Sequence, residues 1–176
     1  VSSFCNNITF LSCLGEKKEY LKLVNSYLSK KIKKNFIYKK NSPTIVKKRF
    51  IDELTKQKLF GDYLLNDSQI TNDEEKKMLE FLTKKKYDLA IILDYGHGLI
   101  TKKIIEKIKN VSSYVAVNAQ INSSNIGHHS IKNFFNTDLL IINESELRHE
   151  IRDRENDIEF IAKEFAKKNK FKNIII

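Results

Sequence analysis

Short apolar runs recur along the chain, separated by helix-length amphipathic stretches, and that alternation restricts the fold more than any other feature. The sharpest run is 89–93, unbroken between Asp88 and Asp94, which suits a central strand covered on both faces. Residues 114–117, 139–142 and 172–176 read as further strands. Between them, Ile104, Ile105, Ile108 and Val111 line one helical face behind Thr101, a candidate cap, and 144–165 is mostly helical with a break near Asp153. Parallel neighbours need a crossover that a helix supplies, so the class expected is α/β: a mostly parallel sheet with helices on both faces.

The first half follows the same rule with one interruption. A strand over 8–14 ends at Gly15, and 16–29 places Tyr20, Leu21, Val24, Tyr27 and Leu28 on one helical face. Extended segments at 44–52 and 59–65 read as an antiparallel pair, a small β lid inserted at about 44–66. Asn72 with Glu75 three residues on gives a capping-box signal for a helix whose face carries Met78, Leu79 and Leu82. No linker or internal repeat divides the chain, so one lobe plus a lid is expected.

Composition narrows the function classes. With 41% apolar residues in 176, the chain can bury a core, and no run approaches the roughly 18 residues of a membrane span. The N-terminus lacks the pattern of a signal peptide, so a soluble cytoplasmic protein is the expectation. Cys5 and Cys13 are too few for a disulfide framework or a zinc site and are expected as reduced structural thiols; His128 and His129 are expected on a solvated loop. The net charge of +10 suits an anionic partner, yet the lysines are scattered in clusters such as Lys30, Lys31, Lys33 and Lys34, or Lys84 to Lys86. Solvated helix faces account for most of them, which argues against nucleic acid or a membrane surface and leaves phosphorylated metabolites.

Open parallel sheets bind ligands beyond the carboxyl ends of their strands. The runs there end in Asp94-Tyr95-Gly96, Asn118-Ala119-Gln120 and Asn143-Glu144-Ser145-Glu146. Such a rim can hold hydroxyl groups and organise hydrated magnesium, as phosphate transfer requires. Structural explanations stand beside each. Asn143 and Glu146 form the pattern of a capping box, Gly96 and Gly98 are what a tight turn after Asp94 needs, and Lys47, Lys48 and Arg49 serve equally to protect an edge strand or to meet a phosphate.

In this order these residues resemble the ribokinase-like (PfkB) carbohydrate kinases, and in particular the kinase half of ADP-heptose synthase, the heptose-7-phosphate kinase branch. Pro43-Thr44-Ile45-Val46-Lys47-Lys48-Arg49-Phe50 with Gln57-Lys58-Leu59-Phe60 resembles that group's lid, Asp94-Tyr95-Gly96-His97-Gly98 its Asp-Tyr-Gly turn, and Asn143 to Glu146 its Asn-x-x-Glu motif. The resemblance implies an ATP- and Mg2+-dependent sugar or sugar-phosphate kinase. Lys47, Arg49 and Asp94 would meet the sugar; Asn118, Asn143 and Glu146 would meet nucleotide or phosphate, with Glu146 reaching magnesium through water. It also implies a homodimer through the lid and a fused nucleotidyltransferase domain.

Two departures accompany it. Asn118-Ala119-Gln120 stands where many members have Asp-Pro-Lys, so a lysine expected near phosphate is missing. The Gly-Gly substrate loop and the Gly-Ala-Gly-Asp motif with the catalytic base are expected before Val1 and beyond Ile176, so the 176 residues alone are expected to be one incomplete, inactive domain with exposed apolar surface. A non-catalytic sugar- or nucleotide-sensing module of the same fold is the alternative.

Overall fold

The computed structural model describes residues 3–121 and 130–176, and the chain divides into two compact units, Val1–Lys77 and Met78–Ile176. His128 and His129 lie outside the described residues.

In the first unit, β1 (Ile8–Gly15) pairs in parallel with β2 (Ile32–Lys39), and α1 (Leu21–Tyr27) connects them. The helix expected over 16–29 shrinks to these seven residues and buries none of its side chains. β2 is not among the strands expected from the sequence, because Lys33 and Lys34 read as part of a solvated helix face. Lys34 instead reaches back and donates to the Leu28 carbonyl at 3.1 Å, while Ile37 and Phe36 carry the strand inward, Phe36 meeting Phe10 edge to face at 6.1 Å. At the end of β1, a methyl group on Gly15 would lie 2.1 Å from the Thr44 amide nitrogen, so only glycine admits the 42–44 segment, whose Thr44 Oγ1 accepts from the Gly15 N–H at 2.9 Å.

The lid is a hairpin of β3 (Val46–Ile51) and β4 (Lys58–Leu64), antiparallel as expected, with a bulge between Phe50 and Ile51. Its turn is held by Asp52, whose Oδ1 accepts from the Thr55 N–H at 2.6 Å and hydroxyl at 2.7 Å. Next, α2 (Asn72–Thr83) is capped one residue earlier than expected. Thr71 Oγ1 accepts from the Glu74 N–H at 3.4 Å and Glu74 Oε2 accepts from the Thr71 N–H at 2.7 Å, so the reciprocal box is Thr71 with Glu74 and not Asn72 with Glu75. The other Glu74 oxygen accepts from the Lys40 N–H at 2.7 Å. Burial pushes this carboxyl up, but those hydrogen bonds and the Lys39 charge outweigh it and hold Glu74 below the usual carboxylate range.

The second unit is a four-stranded parallel sheet in the order β5 (Tyr87–Asp94), β6 (Ser112–Ala119), β7 (Leu139–Ile141), β8 (Asn173–Ile175). The helices that flank it are α3 (Lys102–Val111), lying against β6, α4 (Glu144–Ile151), and α5 (Ile158–Asn169), lying against β8. Thr101 caps α3 as expected, and Ile104, Ile105, Ile108 and Val111 form its buried stripe, each worth about 1.5–3 kcal/mol relative to exposure. The expected break near Asp153 separates α4 from α5, with Arg152 in the left-handed conformation that ends α4. Alternation then sorts the strands: Ile92, Val115, Val117 and Leu140 are buried on one face.

One expectation for this sheet fails. β5 is its edge strand, and Leu89, Ile91 and Leu93, all on the opposite face, are 47%, 51% and 61% exposed. Tyr114, Ile141 and Ile175 continue that exposed face across β6, β7 and β8 in register. The apolar run announces a strand that can be buried on both sides; it does not say which side this polypeptide covers.

The sheet is clamped at the start of β7. Asp138 Oδ2 accepts from the Val115 N–H at 2.8 Å, its Oδ1 takes the Lys172 ammonium at 2.6 Å, and its carbonyl accepts from the Asn173 N–H at 3.0 Å, so one residue ties β6, β7 and β8. Lys172 is the largest influence holding the Asp138 carboxyl below its ordinary value.

Candidate functional site

Three of the strand ends singled out in the sequence come together. Parallel pairing sets Asp94 beside Ala119 and Asn118 beside Ile141, so Asp94, Asn118 and Asn143 all lie at the carboxyl end of adjacent strands. Parallel pairing makes this arrangement, because strands that run in one direction all end at the same edge of the sheet.

Asp94 is 6% exposed, and its Oδ1 accepts from the Gly96 N–H at 2.9 Å. Gly96 and Gly98 have φ of 71° and 77°, so both glycines are required by the turn. Its backbone carbonyl accepts from the Gln120 N–H at 2.8 Å, which brings the start of the segment after β6 against the end of β5. Asn118 leaves the sheet on the other face, beside Leu93, and its side-chain amide donates to the Ile141 carbonyl at 3.0 Å. The rim thus offers a carboxylate above the sheet and an amide below it.

Asn143 and Glu146 make the capping box their spacing implied. Asn143 Oδ1 accepts from the Glu146 N–H at 2.8 Å, and Glu146 Oε2 accepts from the Asn143 N–H at 3.2 Å. Glu146 is 6% exposed, and its Oε1 takes no hydrogen bond from the described residues. That oxygen keeps lone pairs for a further donor or a hydrated cation. No cluster of three His, Cys, Asp or Glu side chains able to hold a metal occurs among the described residues.

On the lid, Lys47 faces Tyr63 and Arg49 faces Gly61 across the hairpin, on one side of the ribbon. Lys48 pairs with Asp62 on the other side, with Phe50 stacked on Phe60 at 4.3 Å. Thr44, grouped with these residues in the sequence, is buried below the hairpin on Gly15, and Gln57 serves the turn by accepting from the Asp52 N–H at 2.9 Å. Sequence reading missed Lys58 and Tyr63. Lys58 Nζ donates to the Tyr63 hydroxyl at 3.3 Å, and both Lys47 and Lys58 stand within 6 Å of the Tyr63 ring, at 5.9 and 5.8 Å. The Lys58 bond first, then its charge and those of Arg49 and Lys47, holds the Tyr63 phenol below its ordinary value. Only the hairpin register, which spacing alone does not fix, could have exposed this cluster.

No family model and no curated protein matches the sequence. Solved structures do resemble it. Phosphofructokinase-2 from Escherichia coli, in complex with potassium, superposes with a TM-score of 0.68 at 12% identity over 97% of this chain and 55% of that one. Ribokinase from Giardia lamblia gives 0.63 at 13% over 92% and 49%, and Arabidopsis thaliana ribokinase complexed with ribose and ATP gives 0.55 at 15% over 96% and 53%. The chain spans about half the length of the solved proteins it matches. At these identities the likeness establishes the fold: an α/β, ribokinase-like architecture shared with carbohydrate kinases.

Proposed function

We propose that the chain is part of an ATP-dependent carbohydrate kinase that transfers the γ-phosphate of ATP to a hydroxyl of a sugar or sugar phosphate, with heptose 7-phosphate as the first acceptor to test. The observation that carries this is that Asp94, Asn118 and Asn143 all lie at the carboxyl edge of adjacent parallel strands. Asp94, Lys47 and Arg49 contact the sugar. Asn118, Asn143 and Glu146 serve the nucleotide and its phosphates, and Glu146 holds Mg2+ through water, which neutralises phosphate charge during transfer. None of these is the base that accepts the hydroxyl proton, so activity is assigned to the full-length product, in which the 176 residues form one incomplete domain with the 44–66 lid inserted.

The same proposal includes a cytoplasmic protein, a homodimer through the lid and a fused nucleotidyltransferase domain. The exposed stacked pair Phe50 and Phe60, with Leu64 on the same hairpin face, supports the lid contact. Among the described residues no helix is long and apolar enough to cross a membrane.

A sensing module is the second reading, favoured by the fact that Asn143 and Glu146 already satisfy each other as a cap. Coupled measurement of ADP release by the full-length product, with heptose 7-phosphate and a panel of other sugars, separates the two. Sugar-dependent turnover supports the kinase; sugar or nucleotide binding without turnover supports the sensor.

A further inference from the structure

The connection between α4 and α5 folds around a cavity of about 560 Å³, at the opposite end of α4 from Asn143 and Glu146. The helix between them is about 12 Å long, so the cavity is not part of the strand-end rim. Arg148, His149, Arg152 and Arg154 all line it. Basic groups in the last turn of a helix complement its dipole, which accounts for Arg148 and His149. It does not account for Arg154, which follows the left-handed Arg152 and lies outside the helix.

The connection is held by its own hydrogen bonds, and these leave guanidinium groups available. Asp153 Oδ1 accepts from the Glu155 and Asn156 N–H groups, both at 3.1 Å, and its Oδ2 accepts from the Asn156 side-chain amide at 2.7 Å. Arg148 is fixed across the connection: its Nε donates to Glu144 Oε1 at 2.8 Å and its Nη1 to the Asn156 carbonyl at 3.0 Å. The other N–H groups of that guanidinium stay unused. The Arg152 and Arg154 side chains make no hydrogen bond or ion pair among the described residues.

Glu144 beside Arg148, with Asp153 and Glu155 in the lining, offsets much of the net charge, so recognition falls to the guanidinium forks. Several forks around one cavity suit phosphate better than carboxylate, because a phosphate monoester presents more terminal oxygens to them. The lining contains no apolar side chain, which disfavours an apolar ligand or a stacked nucleobase. Its volume is within the range of about 300–1,000 Å³ typical of small-molecule sites.

We propose that this cavity binds a small phosphorylated metabolite by its phosphate group, with Arg148 as the fixed donor and Arg152 and Arg154 folding onto the anion. Glu155 and Asn156 are placed to meet hydroxyl groups on the remainder of the ligand. None of these residues belongs to the rim or the lid, so the site stands or falls apart from the kinase reading.

Amide chemical-shift titration of the 176-residue chain with glycerol 3-phosphate and with citrate tests this. Glycerol 3-phosphate should move the signals of 148–156 and bind at least about tenfold more tightly there than citrate. Arg152→Ala and Arg154→Ala should each weaken it at least about tenfold. Both side chains are exposed, and the spectrum itself reports whether each variant is folded. Lys168→Ala, which removes the same charge near the other end of α5, should leave the affinity unchanged. Absence of shifts at 148–156, citrate binding as tightly as glycerol 3-phosphate, or equal weakening by Lys168→Ala would each overturn the proposal.

Discussion

Asp138 is the residue on which the second unit's stability is most concentrated, because its carboxylate and carbonyl join three strands. Asp138→Ala should cost about 1–3 kcal/mol in urea unfolding, since the Val115 N–H loses its partner inside the sheet. The pH dependence has a definite sign. A carboxyl held below its ordinary value stabilises the fold above its unfolded pKa of about 3.9, and that contribution disappears as pH falls through the lower folded value. The wild type should therefore lose stability below about pH 4 more steeply than Asp138→Ala. In the first unit, Gly15→Ala should destabilise by about 1–3 kcal/mol or more, as the Thr44 backbone cannot yield as a flexible side chain would. Equal melting of Gly15→Ala and wild type would contradict the close approach.

At the scale of elements, the capping box of α4 allows cap and chemistry to be separated. Asn143→Ala removes the cap and should cost about 0.5–2 kcal/mol. Glu146→Gln preserves an acceptor for the Asn143 N–H, since glutamine also completes such a box, but removes the charge. If Glu146 organises magnesium, Glu146→Gln should leave the melting temperature nearly unchanged and lower turnover of the full-length product at least about tenfold. Equal turnover would reduce the pair to a cap. The elements differed in how far the sequence disclosed them. α3, the break between α4 and α5, and the lid hairpin were legible because their periodicities are unbroken. β2 was not, because Lys33 and Lys34 resemble a solvated helix until the pairing with β1 shows otherwise. Thr71 and Asn72 are both competent caps, and only the Glu74 carboxylate decides between them. The Lys58 and Tyr63 contact depends on register and on the missing side chain at Gly61.

Over the whole molecule, the sequence disclosed the α/β class, the shared rim and the exposure of apolar surface, but put β5 at the centre of the sheet and not at its edge. Leu89, Ile91 and Leu93 with Ile141 and Ile175 form an exposed apolar surface of the kind that associates. The 176-residue chain should self-associate with concentration in sedimentation, and Ile91→Lys should suppress this while changing unfolding stability by no more than about 0.5 kcal/mol. On the proposed reading the rim at Asp94, Asn118 and Asn143 handles a sugar and a phosphate, and the decisive measurement is sugar-dependent ADP release by the full-length product, wild type against Asp94→Asn. The predicted result is release that requires a sugar and falls by about a hundredfold in Asp94→Asn with the fold intact. Release that ignores every sugar, or is the same in both proteins, would contradict it.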